Sequence, residues 1–359
     1  MKIAVYSPYL DTIGGGEKYV LTIAEYLSEN HNVDFLLGTH LYNQNIDKLL
    51  QKTKDLHDLD LSKVNFIKAP IGARSSFLER LFFLQKYDFL FYLSDGSIFL
   101  SSAKNSIIHL QSPIINKSNN PWEKIKLSSW KLIIYNSKFT KEETKNSWKK
   151  PGLVIYPPVL VEEIKPLKKK KQIVSVGRFF GYLKDKKHSL LIDAFKKLVI
   201  GGNLSGWSLH LAGGAGEGDQ AYIDQLRVQA KDLKVNLVPN MPFNQLKKLY
   251  GESQIYWHAS GYGEKDPTKM EHFGISTVEA MAGGCVPVVI NLGGQKEIVE
   301  NNKSGFLWNS VDELIKYTID LIENENLRKK LTISAQDRSK IFSKENFCKK
   351  IQEIINGNS

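Results

Sequence analysis

The chain has 359 residues, 42% of them hydrophobic and 24% charged, which is the balance of a folded globular protein and excludes a disordered one. So long a chain exceeds one ordinary hydrophobic core, and two domains are expected. The net charge is +11, and no apolar run reaches the ~20 residues that a membrane span needs.

The amino terminus indicates a cytoplasmic protein. Met1–Tyr6 has the pattern of a β-strand and not of a signal peptide. Cys285 and Cys348 are too few for a disulfide framework or a metal cluster, so we expect two free thiols.

Short strand-like runs alternate with amphipathic stretches, as in parallel sheets with crossover helices. The strands predicted in the first half are Lys2–Ser7, Val33–Leu37, Val64–Lys68, Phe89–Leu93, Ser106–Leu110 and Leu132–Asn136. Those predicted in the second half are Gln172–Val176, Ser208–Ala212, Val235–Val238, Ile255–His258, Val286–Ile290 and Gly305–Trp308. The predicted helices are Lys18–Ser28, Ser189–Val199, Val311–Glu323, Glu325–Lys340 and Lys344–Ile354.

The charged stretch Glu162–Lys171 reads as a linker between two doubly wound α/β domains, predicted at residues 1–165 and 166–340. A final helix within residues 341–359 could cross back onto the first domain, which the sequence leaves open. Ligands of such sheets bind beyond the carboxyl ends of the strands, so the expected site is the cleft between the domains.

The first predicted strand is followed by Gly14, Gly15 and Gly16, which open the first helix. Glycines at such a position allow backbone N–H groups to approach a phosphate closely. The order is neither a P-loop nor Gly-x-Gly-x-x-Gly, and a merely flexible loop is the alternative.

His109 lies at the carboxyl end of another predicted strand, where the chain leaves the sheet through Gln111-Ser112-Pro113. Its position suits a residue of a ligand site. A buried core histidine is the alternative.

Nine lysines and three glutamates between Lys117 and Lys150 are interleaved with Trp122, Trp130, Phe139 and Trp148. Lysines and tryptophans together favour an anionic membrane surface. A solvated basic face over core tryptophans is the alternative. Nucleic acid is disfavoured because no recognition motif accompanies the charge.

The first strand of the second domain leads into Gly177 and Arg178, and Lys186 follows in the loop before the next helix. Two cations at the carboxyl edge of a sheet can bind a diphosphate and neutralise its developing charge without a divalent metal. Ordinary surface cations are the alternative, chiefly for Lys186, which has other lysines beside it.

Two further motifs are ambiguous. The glycine-rich stretch Gly213–Asp219 follows a strand and either lines a nucleotide pocket or forms a mobile loop. Asp58-Leu59-Asp60 has a spacing that can bind metal, but it lies in a polar connector and reads as surface charge. No cluster of histidines and cysteines has the spacing of metal ligands.

The segment Glu271–Gly284 is the most informative in the chain. It places Glu271 before a glycine-containing turn and Glu279 just inside a helix. A helix N-terminus suits an anion, and the carboxylates can accept hydrogen bonds from hydroxyls, so the segment suits a nucleotide sugar. The alternative for Ser276–Glu279 is a capping box with a purely structural role.

These motifs, in this order, resemble glycosyltransferase family 4, retaining enzymes of the GT-B fold, which has two Rossmann-like doubly wound parallel-sheet domains facing across a cleft. The resemblance extends over nearly the whole chain. Its other matching segments are Tyr135–Ser137, Val154–Val159, Glu279–Val288 and Gly293–Val299.

The resemblance implies a role for each matching residue. Glu271 would face the donor sugar hydroxyls, Glu279 would hold the ribose, and His109 would lie near the transferred sugar on the acceptor side. Arg178 and Lys186 would bind the diphosphate. The remaining donor-binding positions are Gly14, Gly15, Gly16, Gly177, His272, Phe273, Gly274 and Ile275. The family usually needs no metal or cofactor and no protein nucleophile, because the leaving phosphate assists attack on the same face.

Within the family, four segments look most like the α-1,2-mannosyltransferases of lipid-linked oligosaccharide assembly: Ile107–His109, Ser175–Phe180 with Lys186–His188, and Glu271–Ile275. GDP-mannose is therefore the favoured donor and a lipid-linked glycan or polysaccharide the expected acceptor. The insert Gly261–Met270 is a departure from those enzymes. We expect a cytoplasmic protein, with peripheral contact to an anionic membrane as one possibility and no nucleic-acid partner.

Three alternatives remain at this point. A UDP-sugar could replace GDP-mannose as the donor. A non-catalytic nucleotide-sugar-binding protein of surface-polysaccharide assembly would keep the same motifs. Nucleotide-sugar epimerases and phosphorylases share the fold, although a phosphorylase has a much longer chain.

Overall fold

The computed structural model describes residues 1–12, 15–42, 50–51, 53, 59–72, 75–115, 120–183, 185–202 and 204–357. Contacts along the chain divide it into two compact units. Unit 1 comprises Met1–Pro158 and Glu345–Ser359, and unit 2 comprises Val159–Lys344. Each unit is built on one parallel sheet, as the alternating pattern of the sequence predicts.

Unit 1 has a seven-stranded parallel sheet in the order β3-β2-β1-β4-β5-β6-β7. Its strands are β1 Lys2–Tyr6, β2 Asn32–Leu37, β3 Asn65–Lys68, β4 Phe89–Ser94, β5 Asn105–Leu110, β6 Leu132–Tyr135 and β7 Gly152–Val154. The six predicted strands are confirmed to within one residue at each end. The edge strand β7 was not predicted, because three residues that include a glycine carry no alternating pattern.

Unit 2 has a six-stranded parallel sheet in the order β10-β9-β8-β11-β12-β13. Its strands are β8 Gln172–Val176, β9 Ser208–Gly213, β10 Val235–Pro239, β11 Ile255–His258, β12 Val286–Ile290 and β13 Phe306–Trp308. All six were predicted. In both sheets the order reverses beside the first strand of the unit, as in doubly wound folds.

The helices follow the strands in alternation. In chain order they are α1 Gly15–Ser28, α2 Thr39–Tyr42, α3 Phe77–Leu84, α4 Pro121–Ser128, α5 Lys138–Thr144, α6 His188–Ile200, α7 Gln220–Gln229, α8 Phe243–Glu252, α9 Ile275–Ala282, α10 Gln295–Ile298, α11 Val311–Glu323, α12 Glu325–Ser339 and α13 Lys344–Ile355. Among the described residues, no helix is both long enough and apolar enough to cross a bilayer.

The final helix α13 packs within unit 1, a placement that the sequence left open. The rings of Phe347 and Tyr19 meet edge to face with centroids 4.7 Å apart. Tyr26 donates a hydrogen bond to Gln352 at 3.2 Å. Helices α1 and α13 thus cover one face of the sheet, where Phe91 of β4 is also buried.

The stretch predicted as a linker, Glu162–Lys171, belongs to unit 2 and is anchored there. The Lys169 ammonium donates hydrogen bonds to the carbonyls of Ser253 and Gly283 at 2.7 and 2.6 Å. These carbonyls lie at the carboxyl ends of α8 and α9, where a cation is favoured by the unpaired carbonyls and the helix dipole. This stretch is therefore a fixed part of the second unit and not a loose connector.

Helix α7 offers a test of how much the core of unit 2 depends on one side chain. Leu226 is 1% exposed within the core cluster, whereas Val228 on the same helix is 76% exposed. Leu226→Ala should lower the free energy of unfolding by about 2–5 kcal/mol, because it leaves a cavity. Val228→Ala should change it by less than about 0.5 kcal/mol. Urea unfolding followed by circular dichroism measures both, and equal effects would contradict the assigned core.

Candidate active site

The N-terminus of α9 is set by Gly274, the residue before the helix. Its φ of +120° lies in a region that other residues rarely adopt. A Cβ there would lie 2.4 Å from Nε2 of Gln295, so a side chain has no room. Because residue 274 has no side chain, nothing at this position covers the first backbone N–H groups of α9.

The capping-box interpretation of Ser276–Glu279 is wrong. The helix is capped by Gly274, with no side-chain cap hydrogen bond. The Ser276 hydroxyl lies 2.8 Å from the Tyr256 hydroxyl and donates to the carbonyl of Val176 at 3.3 Å. Since Val176 ends β8, the first turn of α9 lies against the end of that strand, where Arg178 follows.

Glu271 lies in the loop that leads into α9, and its carboxylate is held from two sides. Lys186 Nζ lies 2.8 Å from Glu271 Oε2, and Nε2 of His258 lies 3.0 Å from the same oxygen. The side chains of Glu271 and Lys186 are only 20% and 19% exposed. The pair is thus partly shielded from solvent, where its attraction is stronger than at an open surface.

The backbone of Glu271 is fixed by two glycines after β12. The N–H of Gly294 donates to the Glu271 carbonyl at 2.8 Å. A Cβ on Gly293 would lie 2.2 Å from that carbonyl oxygen. This close approach requires glycine, and it holds the carboxylate in one position relative to the sheet.

The charges of this cluster follow from its contacts. Burial alone would raise the pKa of Glu271, but the Lys186 ammonium and the hydrogen bond from His258 outweigh it and hold that pKa well below its usual range. Burial lowers the pKa of Lys186, but Glu271 and Asp185 more than reverse this and leave it raised. Burial lowers the pKa of His258 despite its hydrogen bond to Glu271. At neutral pH an anion is therefore held between a cation and a neutral imidazole that donates through Nε2.

Lys186, predicted to bind the diphosphate, belongs to this cluster, and Gly177 and Arg178 lie beside it. A Cβ on Gly177 would lie 2.7 Å from Cγ of Lys186, so the strand end and the lysine are in close contact. Arg178 is exposed, and its guanidinium lies 4.4 Å from the centre of the Phe180 ring. The stacked ring gives the guanidinium a defined position while its N–H groups remain accessible to an anion.

Glu279 lies inside α9 and is 8% exposed. It accepts a hydrogen bond from the Tyr250 hydroxyl at 3.1 Å. Phe273 is buried against Phe342, and Nε2 of His272 lies 3.1 Å from the carbonyl oxygen of Thr268. The ribose contact implied for Glu279 stays a prediction.

The glycine-rich stretch Gly213–Asp219 is tied down within unit 2. The Asp219 carboxylate accepts hydrogen bonds from the backbone N–H groups of Gly181 and Gly216, which lower its pKa. The N–H of Ala215 donates to the Asn240 side chain at 2.8 Å. The mobile-loop alternative therefore does not fit these contacts, and the loop is held beside the one that bears Arg178.

The insert Gly261–Met270 is also anchored to the cationic loop. Lys187 forms an ion pair with Glu264 at 2.7 Å, and both side chains are mostly buried. Lys187 has a left-handed backbone conformation, with φ of +54°, at the start of α6. The segment Gly261–Met270 thus lies beside Lys186 and leads directly into Glu271.

In unit 1, Gly14 lies outside the described residues, Gly15 begins α1, and Gly16 packs against Gln111. A Cβ on Gly16 would lie 2.8 Å from Oε1 of that glutamine. His109 is 1% exposed and stacks on Tyr19, with ring centroids 3.6 Å apart. Its Nε2 lies 3.2 Å from the amide nitrogen of Gln111, which can only donate, so this imidazole nitrogen is the acceptor.

Burial lowers the pKa of His109 to about 3. The imidazole is therefore neutral near pH 7, and its surroundings are those of a core residue. Its predicted place beside the transferred sugar is not tested by these contacts.

The predicted residues fall into two sets. Unit 1 holds Gly15, Gly16 and His109 near the carboxyl end of its sheet, and unit 2 holds the others. Sequence reasoning missed His258, although it is the last residue of β11 and the same strand-end rule that selected His109 would have found it. It also missed Tyr250, which lies far from Glu279 in the chain.

Metal binding was not expected from the sequence. Within the part of the chain that the structure describes, no group of three or more His, Cys, Asp or Glu side chains is arranged to hold an ion. Of the Asp58-Leu59-Asp60 motif, Asp58 lies outside the described residues. The N–H of Asp60 donates to Glu25 at 2.8 Å.

The lowered pKa of His109 predicts a pH effect on stability. Below the reference pKa of 6.5 the unfolded chain binds a proton that the folded chain rejects, so stability is lost as the pH falls. The amount by which the free energy of unfolding of His109→Gln falls below that of wild type should therefore shrink by about 2 kcal/mol between about pH 7.5 and about pH 5. Urea unfolding at each pH measures the difference. It should be constant above about pH 8, and a constant difference at every pH would contradict the neutral buried imidazole.

Comparison with known proteins connects this site to one family. The family described as "Glycosyl transferases group 1" matches residues 160–338, about half of the chain and nearly all of unit 2. Two curated relatives are both named "GDP-Man:Man(3)GlcNAc(2)-PP-Dol alpha-1,2-mannosyltransferase". The protein from Dictyostelium discoideum is 28% identical over 254 residues, covering 63% of this chain and 47% of the relative. The protein from Homo sapiens is 32% identical over 239 residues, covering 60% of this chain and 46% of the relative.

The chain thus spans about half the length of these curated relatives. Among solved structures, Anabaena Alr3699/HepE in complex with UDP matches with a TM-score of 0.72 at 18% identity, covering 99% of this chain and 100% of that one. At this identity the likeness shows the fold, and the predicted GT-B fold is confirmed. Through residues 160–338 and its two parallel-sheet units, the chain belongs to the glycosyl transferases group 1 family.

Proposed function

We propose that this chain is a retaining, metal-independent transferase that moves a hexose from a nucleotide-diphosphate sugar to a lipid-linked glycan or polysaccharide. The observation that carries the proposal is the Lys186–Glu271–His258 cluster beside the N-terminus of α9. It combines a cation, an ionised acceptor of hydrogen bonds and a positive helix end within one unit. These three elements together suit a sugar diphosphate.

The binding roles follow from the charges. Arg178 presents N–H groups that suit phosphate oxygens, and the first turn of α9 adds backbone N–H groups. The Lys186 ammonium has three N–H donors and uses one in its hydrogen bond to Glu271, so it can also donate to a diphosphate. Glu271 stays ionised at neutral pH, so it can accept hydrogen bonds from the hydroxyls of the sugar.

The same groups would stabilise the transition state. Negative charge grows on the diphosphate as the bond to the sugar breaks, and Arg178 and Lys186 would neutralise it in place. The acceptor hydroxyl would attack from the face that the diphosphate leaves, with a phosphate oxygen accepting its proton. Glu271 then positions the sugar and no side chain forms a covalent bond with it.

The donor we favour is GDP-mannose, because the curated relatives carry GDP-mannose and a dolichol-linked acceptor in their names. A UDP-sugar is the alternative, supported by the UDP bound to a protein of the same fold. A cytoplasmic location at a membrane surface belongs to the same proposal, since a lipid-linked acceptor resides there. The non-catalytic alternative would keep nucleotide binding without turnover.

Substitutions in the site should separate chemistry from binding. Glu271→Gln should lower kcat about 100-fold or more and change the Kd for the nucleoside diphosphate by less than about threefold, because the carboxylate acts on the sugar. Arg178→Ala should weaken that Kd by about 10- to 100-fold, because it removes charged hydrogen bonds to phosphate. Steady-state kinetics and calorimetric titration measure the two constants.

Matched controls exist on exposed helices. Arg227→Ala removes an arginine whose side chain is 51% exposed, and Glu325→Gln changes a glutamate that is 63% exposed. Both should leave kcat and Kd unchanged. Equal losses of affinity in Glu271→Gln and Arg178→Ala would contradict the division of roles.

A panel of nucleotides should identify the donor. At about 100 times its Kd, the correct nucleotide adds about 2.7 kcal/mol to stability, so GDP and GDP-mannose should raise Tm without added magnesium. A rise in Tm with UDP and not with GDP would favour the alternative donor. A rise in Tm that requires magnesium would contradict metal independence. Binding without transfer to any lipid-linked acceptor would favour the non-catalytic protein.

A further inference from the structure

The outer faces of α3 and α4 in unit 1 expose large apolar side chains. On α3, Phe77, Leu78 and Phe82 are 49%, 62% and 68% exposed. On α4, Trp122 and Ile125 are 71% and 48% exposed. We name these five side chains the α3–α4 face. Exposed apolar groups concentrated in this way usually mark an interaction surface.

The two helices lie on the same face of the sheet. Leu84 of α3 and Leu127 of α4 pack against one core cluster, which is separate from the one beneath α1 and α13. The loop before β5 joins them, because the Ser102 hydroxyl donates to the carbonyl of Leu81 at 2.5 Å, and the N–H of Ser101 donates to the Ser129 hydroxyl at 3.0 Å. The exposed side chains therefore point away from the sheet on one side of unit 1.

A cationic pocket adjoins the apolar side chains of α4. It has a volume of about 300 Å³, and Lys124, Lys149 and Lys150 line it together with Ser128 and Ser147. Glu123, which also lines it, forms an ion pair with Lys126 at 3.4 Å. The three ammonium groups suit a phosphate group, whereas the single hydroxyl proton of Ser128 is already donated to the carbonyl of Ile125.

The sequence analysis based a membrane surface at Lys117–Lys150 on lysines together with tryptophans, and the structure corrects the role of the tryptophans. Trp130 and Trp148 are core residues, 0% and 3% exposed, so the core alternative holds for them. Trp122 is the tryptophan of this segment that faces outward. The other exposed rings come from α3, which the sequence did not single out.

We propose that the α3–α4 face inserts into the headgroup region of a bilayer that contains anionic phospholipid, with the lysine pocket binding a lipid phosphate. Tryptophan and phenylalanine are favoured at the boundary between headgroups and acyl chains, and lysines add electrostatic attraction to the lipid surface. A second copy of the chain fits less well, because self-association would bring two sets of like charges together in a protein of net charge +11.

The proposed membrane contact rests on the proposed function in one respect, because a lipid-linked acceptor would bring the chain to a membrane. Vesicle binding needs neither donor nor acceptor. The two proposals can therefore fail separately.

The test is co-sedimentation of the full chain with vesicles of phosphatidylcholine alone or with about 30% phosphatidylglycerol. Wild type should bind the anionic vesicles and not the neutral ones, and binding should weaken as salt rises from about 50 mM to about 500 mM. Lys124→Gln, Lys149→Gln and Lys150→Gln together should lower the partition coefficient about 100-fold. Phe82→Ser with Trp122→Ser should lower the partition coefficient at least about tenfold, mainly by removing the vesicle binding that persists at high salt.

Val228→Ser with Ile200→Ser is the matched control, since these side chains are 76% and 77% exposed in unit 2. It should bind vesicles as wild type does. Thermal unfolding followed by circular dichroism should give the same Tm for all variants, which shows that each one is folded.

Three outcomes would overturn the proposal. The first is no binding of wild type to anionic vesicles at low salt. The second is equal binding by wild type and both surface variants. The third is a concentration-dependent dimer, seen by light scattering, that Phe82→Ser with Trp122→Ser abolishes without any change in vesicle binding, because it would identify a second copy as the occupant.

Discussion

The ion pair between Lys186 and Glu271 is the constraint on which the candidate site depends. A carboxylate that is mostly removed from water is costly unless a cation and hydrogen-bond donors compensate it. Lys186 supplies the charge and His258 supplies the second hydrogen bond. Because the pair is compensated in this way, Glu271 remains ionised and fixed, ready to accept hydrogen bonds from a hydroxylated ligand.

Several local features of unit 2 serve this pair. Gly177 has no side chain, so the stem of Lys186 can pass directly over the end of β8. Gly293 and Gly294 allow the backbone of Glu271 to lie against the turn after β12. A Cβ on Gly177 would meet the stem of Lys186 and one on Gly293 the carbonyl of Glu271, whereas one on Gly294 would meet the backbone of Phe273.

The two units use the same strand-end geometry with different electrostatics. In unit 2 the strand ends carry charges, and the pKa values there shift so as to keep an anion and a cation side by side. In unit 1 the strand end carries His109, which is stacked on Tyr19, buried and neutral. The charged residues predicted for the site thus lie in the unit that matches the glycosyltransferase family, while the exposed apolar and basic groups of unit 1 suit a surface contact.

The sequence by itself determined the alternation of strands and helices, twelve of the thirteen strands in the described residues and the residues that follow them, because these depend on periodicity within a few neighbouring positions. It also predicted, through the order of the motifs, that Arg178, Glu271 and α9 belong to one site. Only the tertiary structure decided that Ser276 bonds to Tyr256 and does not cap α9. The pairing of Lys186 with Glu271, the burial of Trp130 beside the exposure of Trp122, and the packing of α13 on α1 were likewise decided there. Each of these depends on contacts between residues far apart in the chain, and local patterns carry no record of such contacts.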